Sequence, residues 1–548
     1  MAEAAKVRIT RPALRGREWL VIAGDHLAAQ AGARVLQQGG NAVDATVAAA
    51  AAVGVVEPLR SNILGGESFI LLWSAADRRP FVIDGIGYAP AGATVERYRE
   101  LGGVPQHGLQ ASCVPGAFDG WVLALERFGT MTLAQTLAPA LELAEAGFLV
   151  SELLHETMVQ QFETQLKHPA TAKVFLKDGR PYAAGERLVQ PDLVRTFRKL
   201  LAVEEAHRSQ GRGKALQAAR DFFYRGEIAE AIVRFSHREG GLFDEQDFTR
   251  YEAAVLEPIR TAYREWEVLE IPPPSQGITL LMALNVLEGY DLKGWGWQSA
   301  ETIHAMVEAV ALTFADREAY IADPSFVKVP TERLLSKAYA EAQRRRIRPD
   351  RSLTWPVSGG LGDTTSITVA DAQGNLVSVT TSIGAGSVVA GETGILLNNR
   401  VRMFHLDLNH PNVVAPGKKV RMTLNPAMAL RRGRPWMAFA SPGGDVQPQV
   451  QLQSFLNVVE FGLTPQEAVE APRWVSTAFP NTSLPHKPGN ALQMEPGFPE
   501  AVRQALEAKG HVLARPGEMG SVAMIVRDEQ GGLHGGADPR REAYGIAW

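Results

Sequence analysis

A threonine at the start of a predicted strand has the clearest chemical potential in this sequence. Thr364 follows Asp363 at the end of residues 349–363, a stretch rich in glycine and proline that predicts a flexible, exposed segment. A threonine hydroxyl is a poor nucleophile and needs a neighbouring base. If the backbone were cut before Thr364, its freed α-amino group, with an ordinary pKa of about 7.7–8, could accept the hydroxyl proton. The junction therefore suggests self-cleavage followed by catalysis by an N-terminal threonine, although it also suits an ordinary strand start.

The residues after Thr364 predict the element that holds it. Apolar and polar residues alternate over residues 364–370 and 376–382, with turn residues at 371–375 between them. This pattern predicts a β-hairpin with a buried face. A nucleophile on the first residue of a rigid strand has little positional freedom, which favours catalysis.

The remaining periodicity predicts alternating groups of helices and strands. Helices are expected at 26–56 with a break near residue 40, and at 117–160, 187–260, 278–288 and 300–345. Strands are expected at 68–74, 80–84, 426–432, 435–440 and 521–527. Helices around at least two sets of antiparallel strands predict stacked sheets with helical layers outside them.

The composition excludes several classes of protein. The 548 residues are 45% hydrophobic and 21% charged, with a formal net charge of −4, which is ordinary for a globular protein and predicts no nucleic-acid partner. The longest apolar stretch, near residues 48–56, is shorter than a membrane span, so no membrane partner is expected. No secretory signal is recognised near the N-terminus, and a cytoplasmic location is expected.

Other catalytic apparatus is not found in the sequence. Cys113 is the one cysteine, so neither an internal disulfide nor a cysteine metal cluster can form, and Cys113 is expected to be buried. There is no Gly-x-Ser-x-Gly elbow, no His-Glu-x-x-His zinc motif and no phosphate-binding loop. His405 and His410 could line a loop near the site, although isolated histidines are more often structural. We expect no cofactor and no metal.

A series of short strings resembles the γ-glutamyltransferase (γ-glutamyltranspeptidase) family. Each string is weakly specific, but they occur in the family's order from about residue 20 to the C-terminus. They are GGNAVDA (39–45), GVVEP (54–58), VPG (114–116), PPPS (272–275), ADR (315–317), TGILLNN (393–399), APGK (415–418), SPGG (441–444) and ADPRR (537–541).

The resemblance implies an N-terminal-nucleophile hydrolase fold, which is a four-layer α-β-β-α sandwich. It implies one domain over residues 1–548 that cuts itself between Asp363 and Thr364 into a large chain, 1–363, and a small chain, 364–548, which stay associated. By resemblance, Thr364 is the nucleophile and Ser382 supplies a supporting hydroxyl. The backbone amides of Gly443 and Gly444 form the oxyanion hole, a role that glycine suits because it lets N–H groups approach closely.

The sequence departs from the family's transferases at the positions that bind the substrate. Ile86 stands where they have an arginine for the substrate carboxylate. After Asn399, Arg400 replaces an amide or acid and Met403 replaces an aspartate, while the paired serines become Met422 and Thr423. These changes remove a charge-assisted contact to a carboxylate and would repel an amine, so they argue against a glutathione-type donor.

The departures resemble the family's amidohydrolase and acylase branch. We expect a small, acidic amide substrate, bound by Arg400 together with Asn399, Met403, Thr423 and Ile86, with water as the expected acceptor. Arg400 could instead point to solvent or pair with a nearby carboxylate. Two alternatives stay open, a genuine γ-glutamyl transferase or glutathione hydrolase, and an inactive homologue that binds a ligand or acts as a scaffold. The expected partners are the substrate and the two chains themselves, and a homo-oligomer is left open.

Overall fold

Two antiparallel, seven-stranded sheets lie face to face at the centre of the molecule. The computed structural model describes residues 7–353, 364–487 and 489–548. We call the sheet that carries the strand after Thr364 the threonine sheet, and its partner the opposing sheet. Across the threonine sheet the order is β21 (Tyr544–Ala547), β2 (Leu20–Ala23), β12 (Thr365–Ala370), β13 (Leu376–Ser382), β3 (Glu67–Ser74), β4 (Arg79–Gly85) and β9 (Ala254–Leu256).

The opposing sheet and three small sheets contain the other strands. Across the opposing sheet the order is β1 (Leu14–Gly16), β20 (Leu533–Ala537), β19 (Ala523–Arg527), β15 (Arg434–Ala440), β14 (Ala427–Arg431), β11 (Trp266–Glu270) and β10 (Ile259–Tyr263). The small sheets consist of β16 (Trp474–Ser476), β17 (Leu492–Met494) and β18 (Leu513–Ala514); of β5 (Phe148–Leu149) and β8 (Arg187–Leu188); and of β6 (Leu176–Lys177) and β7 (Arg180–Pro181).

Helices cover the outer face of each sheet. The threonine sheet contacts α1, α2 and α4, and the opposing sheet contacts α12, α17 and α18. The helices are α1 (His26–Gln37), α2 (Ala42–Val56), α3 (Val95–Glu100), α4 (Ala117–Phe128), α5 (Leu133–Ala146), α6 (Glu152–Gln161), α7 (Pro169–Phe175), α8 (Pro191–His207), α9 (Arg212–Tyr224), α10 (Glu227–Arg238), α11 (Glu245–Thr249), α12 (Ile278–Leu287), α13 (Leu292–Trp295), α14 (Ala300–Tyr320), α15 (Thr331–Leu334), α16 (Lys337–Arg344), α17 (Gln447–Val459), α18 (Pro465–Glu470) and α19 (Glu500–Ala508). The four-layer α-β-β-α sandwich is confirmed.

The layers form because successive apolar side chains of a buried strand point alternately to the two faces of its sheet. In β2, Val21 and Ala23 join the hydrophobic cluster under the helices, whereas Leu20 and Ile22 join the cluster between the sheets. Successive side chains of a strand point to opposite faces, so one apolar run fills two cores.

The predicted hairpin after Thr364 is confirmed, and its polar face proves to be buried as well. Ile367 and Val369 pack under the helices. On the other face, Ser366 donates to the carbonyl of Ser521 over 3.4 Å, and Ser378 donates to that of Phe439 over 3.1 Å. The polar residues of the hairpin therefore connect the two sheets.

The break in the first helical region marks a capped helix start. Asn41 caps α2 through the N–H groups of Val43 and Asp44, and the Asp44 carboxylate accepts from the Asn41 N–H in return. All 15 residues of α2 are buried, and its alanine-rich surface lets neighbouring elements approach closely.

Two helical predictions need correction. The region 187–260 ends in β9 and the start of β10, because its last residues pair with β4 and β11 at the sheet edges. The region 300–345 is interrupted between α14 and α15, where Pro324 and Pro330 lie. Cys113 is buried, as predicted. Among the described residues, no helix is both long enough and apolar enough to cross a bilayer.

Candidate active site

Thr364 is held in the interior at the end of the threonine sheet. It directly precedes β12 and is 1% exposed. Its backbone carbonyl accepts a hydrogen bond of 2.9 Å from Arg541 Nη1, and Arg541 Nη2 donates to Glu518 over 2.6 Å. Burial alone would raise the pKa of Glu518, but the Arg541 guanidinium lowers it. The two charged side chains thus fix the backbone of the candidate nucleophile.

Ser382 lies next to Thr364 because of the strand register. Thr365 pairs with Thr381 across β12 and β13, so Ser382 stands one step further, opposite Thr364. Ser382 is fully buried, and its Oγ accepts a 2.9 Å hydrogen bond from the Gly384 N–H. The hydroxyl predicted to support the nucleophile therefore lies at the same end of the hairpin as Thr364.

Gly443 and Gly444 form a tight turn between β15 and α17. Their φ angles are +118° and +61°, a region that glycine adopts without a steric penalty. Within the described part of the chain, no hydrogen bond from either N–H is found, so both could donate to an oxyanion. The turn leads into the N-terminal end of α17, whose dipole also favours negative charge.

Gln447 approaches the candidate nucleophile directly and was not predicted from the sequence. Its side-chain amide ends 3.5 Å from Thr364 Oγ1. In the orientation that satisfies its N–H groups, the amide nitrogen lies 3.0–3.1 Å from Thr423 O, Asn425 Oδ1 and Ser441 O. The amide oxygen then faces the Thr364 hydroxyl and can accept its hydrogen bond.

These elements surround a small cavity of about 50 Å³. Its lining includes six of the predicted site residues, Thr364, Asn399, Arg400, Met403, Thr423 and Gly444. It also includes six that were not predicted, Gly384, Ala385, Arg402, Asp445, Asn481 and Ser483. A water-sized position needs roughly 10–15 Å³, so the cavity accommodates a group of only a few heavy atoms.

Not every predicted site residue reaches this cavity. Ile86 is fully buried in the hydrophobic cluster between the sheets, and its backbone carbonyl accepts from the Tyr251 hydroxyl over 3.1 Å. Gly443 is adjacent to the lining through Gly444 but does not line the cavity itself. Asp363, and with it the predicted cleavage point and the loop from residue 354 onward, lies outside the described residues.

The cavity wall is rich in positive charge. Arg400 is 1% exposed and lines the cavity, so it does not point to solvent. Arg402, in the same short 3-10 helix, lines the cavity as well. The acid in the lining, Asp445, is already neutralised by the buried guanidinium of Arg317 and also accepts from the Thr482 N–H over 2.8 Å. The site therefore favours an anionic ligand.

Two buried carboxyl groups near the site resist ionisation. Burial raises the pKa of Glu67 to about 8, against the opposing charge of Arg400. Burial also raises the pKa of Glu57 to about 7, and Arg60 opposes this shift. Near neutral pH, Glu67 is therefore mostly protonated and contributes little negative charge beside Arg400.

Residues of the family-like strings support the site from behind. Arg317, fully buried, donates to Gln276 Oε1 over 2.9 Å and to the carbonyl of Pro480 over 2.7 Å. Gln276 Nε2 in turn donates to the carbonyl of Gly444 over 2.9 Å. These bonds connect α14, the start of α12 and the glycine turn, so the turn cannot move independently of the helices.

Comparison with known proteins finds similarity along nearly the whole chain. Residues 28–548 match the family model described as Gamma-glutamyltranspeptidase. The Acylase ACY 1 proenzyme of Pseudomonas sp. (strain SE83) is 38% identical over 554 residues, which cover 97% of this chain and 94% of that protein. The Glutathione hydrolase-like YwrD proenzyme of Bacillus subtilis (strain 168) is 35% identical over 543 residues, covering 97% and 98%. The crystal structure of cephalosporin acylase from Bacillus halodurans has a TM-score of 0.88 at 32% identity, covering 100% of this chain and 99% of that one.

Proposed function

This chain belongs to the gamma-glutamyltranspeptidase family, and we propose that it hydrolyses a short, negatively charged amide with Thr364 as the nucleophile. In general terms, the relatives make it an enzyme of the amidohydrolase or acyltransferase type. The observation that carries the narrower proposal is that Arg400 and Arg402 line the same small cavity as Thr364.

The chain first cuts itself in this proposal. The Thr364 hydroxyl attacks the carbonyl of Asp363 and the peptide becomes an ester, which frees the α-amino group of Thr364. Water then hydrolyses the ester and releases the Asp363 carboxylate. The bond from Arg541 to the Thr364 carbonyl supports this step, because it keeps the rest of the residue in place while the preceding bond rearranges.

Substrate turnover uses the same hydroxyl. The freed α-amino group accepts the proton of Thr364 Oγ as the oxygen attacks the amide carbonyl, and the N–H groups of Gly443 and Gly444 stabilise the oxyanion. The resulting ammonium protonates the leaving amine, and an ester to Thr364 remains. Water attacks this ester with the amine again as base, so the products are a carboxylic acid and the free threonine hydroxyl.

The charges and size of the cavity support an anionic acyl group. A guanidinium can bind a carboxylate through two parallel hydrogen bonds, and water is largely excluded around Arg400. An α-amino group, as in a γ-glutamyl donor, would meet the positive charge of Arg400 and Arg402 instead of an available acid. A dicarboxylic monoamide carries the anion without the amine and fits these charges better.

The nucleophile is tested by electrophoresis and mass spectrometry. The purified wild type should run as two bands of about 39 and 20 kDa, in proportion to their share of 548 residues and 59.4 kDa. Thr364→Ala should run as one band and lack activity. A wild type that is active while still joined across residues 363 and 364 would refute the proposed nucleophile.

The substrate class is tested by a hydrolysis screen with the processed protein. It compares glutaryl anilide and shorter dicarboxylic monoanilides with γ-glutamyl anilide and with a neutral acyl anilide of equal length. We expect the highest kcat/KM for a dicarboxylic monoamide. A preference for γ-glutamyl anilide would make the chain a glutathione hydrolase, and no hydrolysis by a fully split protein would indicate a binding or scaffold role.

A further inference from the structure

A buried cluster of two histidines and a glutamate lies away from the cavity just described. His304 and Glu308 belong to α14, and His511 follows α19. Their exposures are 3%, 2% and 9%, and one ligand atom from each lies within 4.8 Å of the others. His304 and Glu308 are four residues apart, so they share one face of the helix.

The hydrogen bonds of His304 fix the direction of its free lone pair. Its Nε2 lies 2.7 Å from the carbonyl of Arg348, which can only accept, so Nε2 carries the proton. Its Nδ1 then presents a lone pair toward His511 Nε2, which lies 2.8 Å away. A histidine that donates through one nitrogen to a carbonyl and offers the other to the centre of a cluster has the arrangement typical of a metal ligand.

We propose that His304 Nδ1, His511 Nε2 and a carboxylate oxygen of Glu308 bind a divalent transition-metal ion, with Zn²⁺ as the best fit. Two imidazole nitrogens at about 2.05 Å from a tetrahedral zinc ion are about 3.3 Å apart, so the histidines need to separate by only about half an ångström. A solvent molecule would provide the fourth ligand.

Binding requires a simple exchange of protons. The proton on His511 Nε2 leaves, or moves to Nδ1, and the lone pair that it exposes joins the ion. Burial lowers the pKa of His304, and burial together with His304 lowers that of His511 to about 4, so both rings are neutral near pH 7. Burial raises the pKa of Glu308 to about 7, and a bound cation would displace this proton as well.

Comparison with a second cluster shows why the cluster of His304, Glu308 and His511 is the better candidate for binding a metal ion. Glu318, His405 and His410 also lie close enough to hold an ion. However, Glu318 already forms ion pairs with the buried guanidinium groups of Arg317 and Arg421, at 2.7 and 3.0 Å. Two permanent cations on the only carboxylate of that cluster would repel a metal ion. Among the described residues, Glu308 forms no ion pair with an arginine or lysine. Lys509, whose charge acts on both histidines, donates to the carbonyl of Pro349 over 2.6 Å and does not pair with the carboxylate.

The proposed ion would join α14 to His511, beside a third segment that supplies no ligand. Besides Arg348, the cluster holds Leu353, whose N–H donates to Glu308 over 2.9 Å. Residues 348–353 are therefore fixed to α14 on one side, and on the other side the Ser352 N–H donates to the carbonyl of Lys509 over 2.7 Å. The binding itself does not depend on the proposed function. If the chain is cut before Thr364, the ion would also link the large chain to the small one.

Metal binding is tested on the full-length protein without reference to activity. Protein stripped with a chelator is titrated with Zn²⁺ in the presence of a chromophoric competitor, and with Co²⁺, whose visible spectrum reports tetrahedral ligation. We expect one equivalent of Zn²⁺ to bind with a Kd below about 1 µM. Glu308→Gln keeps an oxygen for the Leu353 N–H, and His511→Gln changes the most exposed of the three residues. Each should weaken binding by more than about 100-fold.

The matched control is His405→Gln in the second cluster, which should bind Zn²⁺ like the wild type. Circular dichroism and the thermal midpoint establish whether each variant is folded. If Glu308→Gln does not fold, the zinc affinity of His511→Gln alone tests the proposed site. The proposal is overturned if the wild type binds no Zn²⁺ below about 10 µM, or if folded Glu308→Gln and His511→Gln bind it unchanged. It is equally overturned if His405→Gln alone loses binding, which would assign the ion to the second cluster.

Discussion

Arg541 and Thr364 are 177 residues apart in the sequence, and a 2.9 Å hydrogen bond joins the guanidinium of one to the backbone carbonyl of the other. This bond orients the residue that we propose as nucleophile without contacting its hydroxyl. Arg541 lies within one of the family-like strings, to which the sequence alone assigned no role. Its partner Glu518 completes a partly buried charge pair behind the site.

Replacing Arg541 should impair both self-cleavage and turnover. Arg541→Ala removes the donor to Thr364 and leaves Glu518 without its countercharge, so we expect slower appearance of the two bands and a fall in kcat of about 10–100-fold. KM should change little. The control is Arg431→Ala, which breaks an arginine–glutamate pair on the surface. Normal processing and turnover in Arg541→Ala would show that the bond to Thr364 is dispensable.

Arg400 should matter for acidic substrates far more than for neutral ones. A hydrogen bond to a charged group contributes about 1.5–3 kcal/mol, so Arg400→Gln should lower kcat/KM for a dicarboxylic monoamide by about 10–150-fold. A neutral amide of equal length should lose less than about 3-fold, because it has no carboxylate to be paired. The same measurement of kcat/KM on Arg402→Gln shows how much each of the two arginines contributes to binding the acidic substrate. Equal losses on acidic and neutral amides would contradict the proposed contact.

Gln447 should be sensitive to a change that keeps its shape. Gln447→Glu replaces the N–H groups that face Thr423 O, Asn425 Oδ1 and Ser441 O with another acceptor. We expect the free energy of unfolding to fall by about 1–3 kcal/mol and kcat to fall at least about 10-fold. Gln530→Glu makes the same chemical change in an exposed turn and should leave both quantities unaltered. Urea unfolding together with initial rates measures both effects, and an unchanged Gln447→Glu would count against its role.

Glu67 should make stability depend on pH. Its pKa is raised from 4.5 to about 8 in the folded state, so the folded protein binds more protons than the unfolded chain between these values. The contribution of Glu67 to the free energy of unfolding is therefore largest below pH 4.5. It decreases as the pH rises toward 8, by up to about 1.4 kcal/mol per pH unit.

Glu67→Gln removes this titration while keeping an acceptor for the Gly87 N–H. Its free energy of unfolding, relative to the wild type, should increase steadily from pH 5 to pH 8. Urea titrations at several pH values measure the difference, with the exposed Glu96→Gln as a control whose difference should stay flat. If the difference in free energy of unfolding between Glu67→Gln and the wild type also does not change with pH, Glu67 ionises normally.

Local patterns predict the elements nearest to the site. The hairpin of β12 and β13 follows from alternation over a dozen residues, and α1 and α2 follow from helical spacing with a break near residue 40. The pairing of the two strands then places Thr364 opposite Ser382. These features depend on residues that are close together in the chain, so a single sequence contains the necessary information.

Features that depend on distant residues could not be predicted in this way. Gln447 and Arg541 reach Thr364 only through the packing of the whole small-chain region, and His511 meets His304 across 207 residues. Ile86 stands where the family's transferases have an arginine, so it was predicted to lie in the site. An apolar side chain prefers the core to a polar cavity, and Ile86 is buried in the core between the sheets. The edge strands β9 and β10 were mistaken for helix because their charged surroundings hide a short alternation.

The order of strands in both sheets has a consequence for the two pieces that a cut before Thr364 would produce. Strands from residues before and after the cut are interleaved, with three borders between pieces in the threonine sheet and two in the opposing sheet. Separating the pieces would mean breaking backbone hydrogen bonds at all five borders, which is equivalent to unfolding. The cut protein should therefore resist dilution as a single body and melt in one cooperative step, and neither piece should fold when made alone.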